Sequence, residues 1–153
     1  KSEAIEIMKS VTGSRKVEMD SVLNHQEILD LQDLVLRVPV ADHIFNYVAE
    51  LVGATRPTQE NAPQFIRDWI SWGAGPRACL NLITGCKARA ILNGRFNVAI
   101  EDVQALALPV MRHRMGLNFA AQSEGITPGE VVKKLIEAIP ADEKLYDAAT
   151  AAA

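Results

Sequence analysis

The stretch Gly73-Ala74-Gly75-Pro76-Arg77-Ala78-Cys79-Leu80-Asn81-Leu82-Ile83-Thr84-Gly85-Cys86-Lys87-Ala88-Arg89-Ala90-Ile91-Leu92-Asn93-Gly94 organises the reading of this chain. Pro76 has the fixed φ and the missing N–H that suit the first position of a helix. Asn93-Gly94 is a helix-ending pair. Between them Cys79, Ile83, Cys86 and Ala90 run down one face, with Leu80 and Leu82 beside them. Recurrence every three or four residues is the pattern of a helix that faces a core. Gly85 and the surrounding alanines predict that another helix approaches closely.

The same periodicity continues on both sides. Ile5 and Met8 lie on one face of a helix over 2–11 that stops at Thr12-Gly13, and 14–23 reads as a linker. Asn24 followed by Glu27 is a capping pair that opens a helix carrying Ile28, Leu31, Leu34 and Val35. Beyond Pro39, residues Val40, Ile44, Val48, Leu51 and Val52 form a second stripe, ended near Gly53–Arg56 and blocked by Pro57. Phe65, Ile66, Trp69, Ile70 and Trp72 form a short aromatic-rich helix. After Gly94, the segment Arg95–Val98 is short and extended, and Glu101-Asp102 load the first turn of a helix with Ile100, Val103, Leu106, Ala107 and Val110. Thr127-Pro128-Gly129-Glu130 is a start signal for a last helix with Val131, Val132, Leu135, Ile136 and Ile139, stopped by Pro140. The predicted fold is all-α, a bundle of six or seven helices. Its one candidate for β structure is a two-stranded element joining Phe96–Val98 to Met115–Leu117.

The overall numbers narrow the class. The chain has 153 residues, 48% hydrophobic, with 16 Lys plus Arg against 19 Asp plus Glu and a net charge of −3. That is one domain, or one domain with an appendage, with enough apolar content for a core rather than a disordered segment. No apolar run approaches the ~20 residues of a membrane span, and no signal peptide opens the chain. The near-neutral balance argues against a nucleic-acid-coating role, which usually shows a strongly basic face. Cys79 and Cys86 lie seven apart on one helix, about 10 Å along its axis. That exceeds the roughly 7 Å reach of a disulfide, so both read as small core residues in a reducing, cytoplasmic setting. His25, His43 and His113 form no metal-binding spacing. The chain opens at Lys1 without an initiator Met and already inside a helical pattern, as expected of a piece of something longer.

Arg77 invites a chemical reading. A cation in the first turn faces the positive end of the helix dipole, and the free N–H groups there attract anions. An arginine at that place suits a phosphate held between guanidinium and helix end; a solvated or locally paired arginine is the simpler alternative. Arg112-His113-Arg114 closes a helix, where cations complement the dipole; a contact to a neighbouring subunit or domain is the other reading. Arg56, also at a helix end, divides the same way.

Ala54-Thr55-Arg56, Gly73-Ala74-Gly75-Pro76-Arg77-Ala78, Lys87-Ala88-Arg89-Ala90, Gly94-Arg95-Phe96-Asn97-Val98 with Glu101-Asp102-Val103, and Val110-Met111-Arg112-His113-Arg114 occur in that order. This ordered set, over roughly 25–140, resembles the C-terminal lid of MoxR-type AAA+ ATPases. The family's usual string is G-A-S-P-R-A, in which the arginine is the sensor-2 residue that reaches the nucleotide's phosphates. The resemblance therefore implies that role for Arg77, with Gly75 and Pro76 beside the phosphates. Gly75 replaces the usual Ser, so a capping hydroxyl is missing. It further implies that 1–23 is the end of the AAA+ core domain or a hinge, that 24–140 is the helical lid, and that 141–153 is a frayed tail.

There is no G-x-x-x-x-G-K-[ST] and no Gly-Lys dipeptide. Val98-Ala99-Ile100-Glu101-Asp102 superficially resembles a Walker B strand but has its acids in the wrong order and suits a helix start. The expectation is that ATP and Mg²⁺ belong to the full-length protein, that neither is held by this piece alone, and that the piece hydrolyses nothing. Implied partners are the core domain of the same chain, a homo-oligomeric ring of hexamer type, and a client complex that it assembles or activates. Arg56, Arg112, His113 and Arg114 are the interface candidates; no metal site, membrane span or nucleic-acid surface is expected. The competing reading is a stand-alone helical interaction module that docks through Trp69 and Trp72.

Overall fold

The structure, a computed structural model, describes residues 1–13, 20–141 and 146. The chain divides into two compact units, Lys1–Leu31 and Gln32–Ala153. In the first, α1 (Ser2–Thr12) buries none of its residues, and Ile5, Ile7, Met8 and Val11 are exposed. The expected linker falls largely on 14–19, outside the described residues. Asn24 and Glu27 then cap reciprocally: Glu27 N–H donates to Asn24 Oδ1 at 2.9 Å, and Asn24 N–H donates to Glu27 Oε2 at 2.7 Å. They open α2 (His25–Arg37) where the capping pair predicts.

The second unit contains α3 (Asp42–Gly53), α4 (Gln64–Trp69), β1 (Ile70–Trp72), α5 (Pro76–Leu92), α6 (Ile100–Met111), β2 (Gly116–Leu117), α7 (Phe119–Ser123) and α8 (Pro128–Ala138). The all-helical expectation holds. Eight helices occur among the described residues, one more than the upper expectation. The additional one is the five-residue α7, too short to show an apolar period.

The core is where the stripes converge. Ile44, Tyr47, Val48, Leu51 and Val52 from α3 meet Ala78, Leu82 and Cys86 from α5. Val103, Ala107 and Met111 from α6 and Val131, Val132 and Leu135 from α8 complete it. Each fully buried Leu or Ile contributes on the order of 2 kcal/mol of transfer free energy. α5 packs most extensively on α6. A Cβ at Gly85 would lie 3.0 Å from Leu106 Cδ1, which explains the glycine at this crossing. Gly94, at φ +69°, ends α5 in the left-handed conformation that glycine adopts without a Cβ penalty.

The β element departs from expectation. β2 lies within the expected Met115–Leu117 segment, but its antiparallel partner is β1, with Ile70 opposite Leu117 and Trp72 opposite Gly116. Residues 95–98 form no strand. They make the bend into α6 and leave Phe96 89% exposed. The expected aromatic helix accordingly ends at Trp69 instead of continuing to Trp72. Gly116 explains the pairing, because a Cβ there would stand 2.2 Å from the Trp72 indole nitrogen. Asn118 reinforces it: its N–H donates to Trp69 O at 2.8 Å and its Nδ2 to Asp68 O at 2.6 Å.

Of the expected frayed tail beyond Pro140, only Ala141 and Tyr146 are described. Tyr146 is buried, edge-on to Tyr47 with ring centroids 5.7 Å apart. Its hydroxyl donates to Pro140 O at 3.0 Å, and its carbonyl accepts from Asn46 Nδ2 at 3.2 Å. At least this residue of the tail is therefore packed.

Candidate functional site

Arg77 is exposed in the first turn of α5, one residue beyond Pro76. Gly75 is the N-cap, with φ −93° and ψ −179°, and supplies no capping side chain. What holds this helix start in place is the end of α3. The buried Thr55 Oγ1 accepts the Ala74 N–H at 2.9 Å and donates to Val52 O at 2.6 Å. Arg56 Nε donates to Ala74 O at 3.1 Å. Both backbone polar groups of Ala74 are thus satisfied by consecutive residues of another element, as buried backbone requires. Gly73 is obligatory here: a Cβ would stand 2.3 Å from Thr55 O. Thr55 and Gly73 stand in the ordered motif set, but the contact between them appears only where the two segments approach. Arg56, an interface candidate from sequence, spends its Nε on this internal bond.

The hollow beside Arg77 is lined by Trp72, Gly73, Gly75, Pro76, Arg77, Ala78, His113 and Arg114, with a volume of about 440 Å³. The fold therefore brings Arg77 together with two residues of the Arg112-His113-Arg114 cluster, which are more than thirty positions away in the chain. Arg112 is exposed and is not among the lining residues. Arg114 is half-buried, and its Nε is sealed from solvent without a hydrogen-bond partner. No carboxylate lines the hollow. A helix N-terminus and two guanidiniums, with no carboxylate among the lining residues, suit the oxygens of a phosphate chain. Among the described residues no group of three or more His, Cys, Asp or Glu comes together to hold a metal.

A second hollow of about 440 Å³ is more apolar, lined by Leu34, Arg37, Val38, Pro39, Ile91, Gly94, Arg95 and Phe96, and contains none of the sequence-predicted site residues. The two tryptophans have different surroundings. Trp69 is half-buried beneath the Lys134 ammonium, 4.7 Å from the ring centre, whereas Trp72 is 57% exposed.

The Gly94-Arg95…Asp102 pattern has a structural role. Asp102 is 1% exposed and reaches back to the Ala99 N–H at 3.1 Å, closing the start of α6. Its Oδ1 accepts from Arg95 Nη2 and lies 3.3 Å from Arg89 Nε. Burial alone pushes its pKa up, but the Arg95 bond, the Ala99 N–H and the two guanidiniums hold it below the ordinary carboxylate value. Nearby Cys86 is buried as expected, its thiol pushed up to about 12 by burial, with the Asp102 charge adding and Arg89 opposing. Both cysteines are free.

Comparison with known proteins gives this geometry a setting. Residues 65–135, which contain Arg77, His113 and Arg114, match the family model described as AAA lid domain. The chaperone MoxR1 of Mycobacterium tuberculosis is 29% identical over 127 residues, covering 83% of this chain and 34% of its own length. The protein YeaC of Bacillus subtilis is 27% identical over 139 residues, covering 90% of this chain and 41% of its own length. A crystal structure of "a putative ATPase" from Cytophaga hutchinsonii superimposes with a TM-score of 0.77 at 26% identity, covering 93% of this chain and 43% of that one. The chain thus spans between a third and about two fifths of the length of the relatives it matches. No helix among the described residues is long and apolar enough to cross a membrane. The all-helical body, the AAA lid domain match over 65–135, the likeness to MoxR1 and the structural match together support a MoxR-type AAA+ lid domain.

Proposed function

We propose that this chain closes as a lid over ATP bound by an AAA+ core domain of the same polypeptide, with Arg77 as the sensor-2 residue that contacts the phosphates. In this reading 24–140 form the lid, and 1–23 are the end of the core or the hinge. The observation that carries it is Arg77, exposed at the start of α5 in a hollow whose charged lining is entirely basic. The guanidinium offers a planar fork of donors that matches phosphate oxygens, and it keeps its charge at all working pH values. Placed across a domain cleft, it stabilises negative charge that grows during phosphoryl transfer, while Gly75 and Pro76 keep the approach free of bulky side chains. The Thr55–Ala74 and Arg56–Ala74 bonds fix where that guanidinium starts from. Mg²⁺ neutralises phosphate charge in such reactions, and its ligands belong to the core domain.

Lid movement then couples ATP hydrolysis to rearrangement between subunits of a homo-oligomeric ring of hexamer type, and so to chaperone-like assembly or activation of partner complexes. Arg112, exposed beside the hollow, is the residue offered to a neighbouring subunit, with His113 and Arg114 behind it. Two free thiols, one fully buried and one half-buried, support a reducing, cytoplasmic location. The test is Arg77→Ala in the longer, core-containing protein. ATPase kcat falls by about tenfold or more; undiminished turnover overturns the sensor-2 assignment. The 153-residue chain alone turns over no ATP.

A further inference from the structure

We propose that Arg114 is the second cation of a two-arginine oligophosphate site, facing Arg77 across the hollow at the start of α5. This inference rests on the reading of Arg77 as a phosphate contact and adds a residue from a different element. Arg114 follows α6 and Arg77 opens α5, yet both line the same 440 Å³ hollow together with His113. The Arg114 Nε is enclosed and has no acceptor. A guanidinium is all donors and never loses its charge, and no carboxylate lines the hollow to neutralise either Arg77 or Arg114. The buried Asp102 is engaged with Arg89 and Arg95, neither of which lines the hollow.

Two guanidiniums from separate elements, with a helix N-terminus beside one of them, suit a ligand that presents oxyanions on more than one centre. A single carboxylate satisfies one fork and leaves the other. A chain of phosphates satisfies both, and bidentate contacts are where arginine surpasses lysine. Such a site also gives α6 a part in sensing. When the ligand loses a terminal phosphate, one of the two forks loses its acceptor, and the α5 start and the α6 end are no longer tied together through it.

The test is titration of the ¹⁵N-arginine-labelled longer, core-containing protein with inorganic tripolyphosphate at constant ionic strength, followed by the side-chain Nε–Hε resonances. Arg77 and Arg114 are expected to shift along one saturation curve. Arg114→Gln is expected to weaken binding by about tenfold, and Arg114→Lys by less, because it keeps the charge and loses the fork. Movement of Arg77 alone, or unchanged affinity in Arg114→Gln, overturns the role of Arg114 and leaves the proposed function standing. An unresponsive pair overturns the two-arginine site, while the ATPase assay of Arg77→Ala decides the sensor-2 reading separately. Should Arg114→Gln fail to fold, the wild-type resonances and Arg114→Lys still give the answer.

Discussion

Thr55 Oγ1 accepts the Ala74 N–H at 2.9 Å across 19 residues of chain, and this bond ties the end of α3 to the turn that presents Arg77. The same hydroxyl donates to Val52 O, so the side chain has both a fixed donor and a fixed acceptor role. Thr55→Val preserves the shape but leaves the buried Ala74 N–H unpaired, at a cost of about 1–3 kcal/mol. Thr55→Ser retains most of the stability. Urea unfolding of the three proteins measures the difference. Gly73→Ala is expected to cost more than Thr55→Ser, because the new Cβ meets Thr55 backbone atoms, which cannot swing away as a flexible side chain does.

Asp102 is a buried carboxylate that depends on its two arginines. Asp102→Ala leaves the Ala99 N–H without its acceptor and opens the start of α6, at a cost of about 1–3 kcal/mol, while Arg89 and Arg95 stay partly solvated. The pH dependence has a definite sign. The folded pKa lies below the unfolded one, so the contribution is fully present above the ordinary carboxylate value and is lost as pH falls through the depressed one. Unfolding free energies measured between neutral and strongly acidic pH are expected to show this loss in the wild type and to lack that component in Asp102→Ala.

The two thiols differ in access as well as in acidity. Cys86 is fully buried with its pKa pushed up to about 12, whereas Cys79 is half-buried and raised mainly by burial, with Arg56 opposing. Reaction requires thiolate and access together. At mildly alkaline pH a thiol reagent is expected to titrate Cys79 first and to reach Cys86 only on a timescale of unfolding, with both reacting promptly in denaturant. Two equally fast thiols in the native protein would contradict the buried position of Cys86.

The proposed role of Arg77 is in function rather than folding. Exposed at a helix start and disfavoured there by the dipole, it can be replaced by Ala with a change in stability within about 0.5 kcal/mol. A useful comparison is Thr127→Ala, which removes the hydroxyl that accepts the Glu130 N–H at 3.3 Å and donates to its carboxylate at 2.8 Å. That change costs about 1 kcal/mol. Thermal unfolding of both variants checks that any ATPase defect of Arg77→Ala is not a folding defect.

Much of the helical framework was legible because its signals are local. Asn24 with Glu27, Gly94 after α5, and Thr127-Pro128-Gly129-Glu130 act on backbone groups within three or four residues, and Pro76 at the first turn of α5 removes a donor that would lack a partner. α7 escaped because its five residues carry no apolar period, Phe119 being 84% exposed; its only signal was Asn118, whose side chain caps it from Ala121 N–H at 2.9 Å. The strand partner of β2 was misplaced for a related reason. A pairing two or three residues long has no period of its own, and it went to Ile70–Trp72 because Gly116 leaves room for the Trp72 ring.

Spacing and caps alone were enough to establish an all-helical chain, the limits of its longer helices, and Arg77 as the cation set against a helix dipole. They act between neighbours along the chain, where geometry is nearly the same in every protein. Tertiary packing decided which distant residues share a surface. It brought Arg114 and His113 to the hollow of Arg77, turned Arg56 inward to Ala74, buried Asp102 between two arginines and seated Tyr146 against Tyr47. Those contacts join residues from 7 to about 100 positions apart, and most depend on how the helices cross; no periodicity encodes a crossing. Arg77 could thus be singled out from one helix turn and the family resemblance, whereas the hollow it shares with Arg114 emerged only when α5 and α6 were packed together.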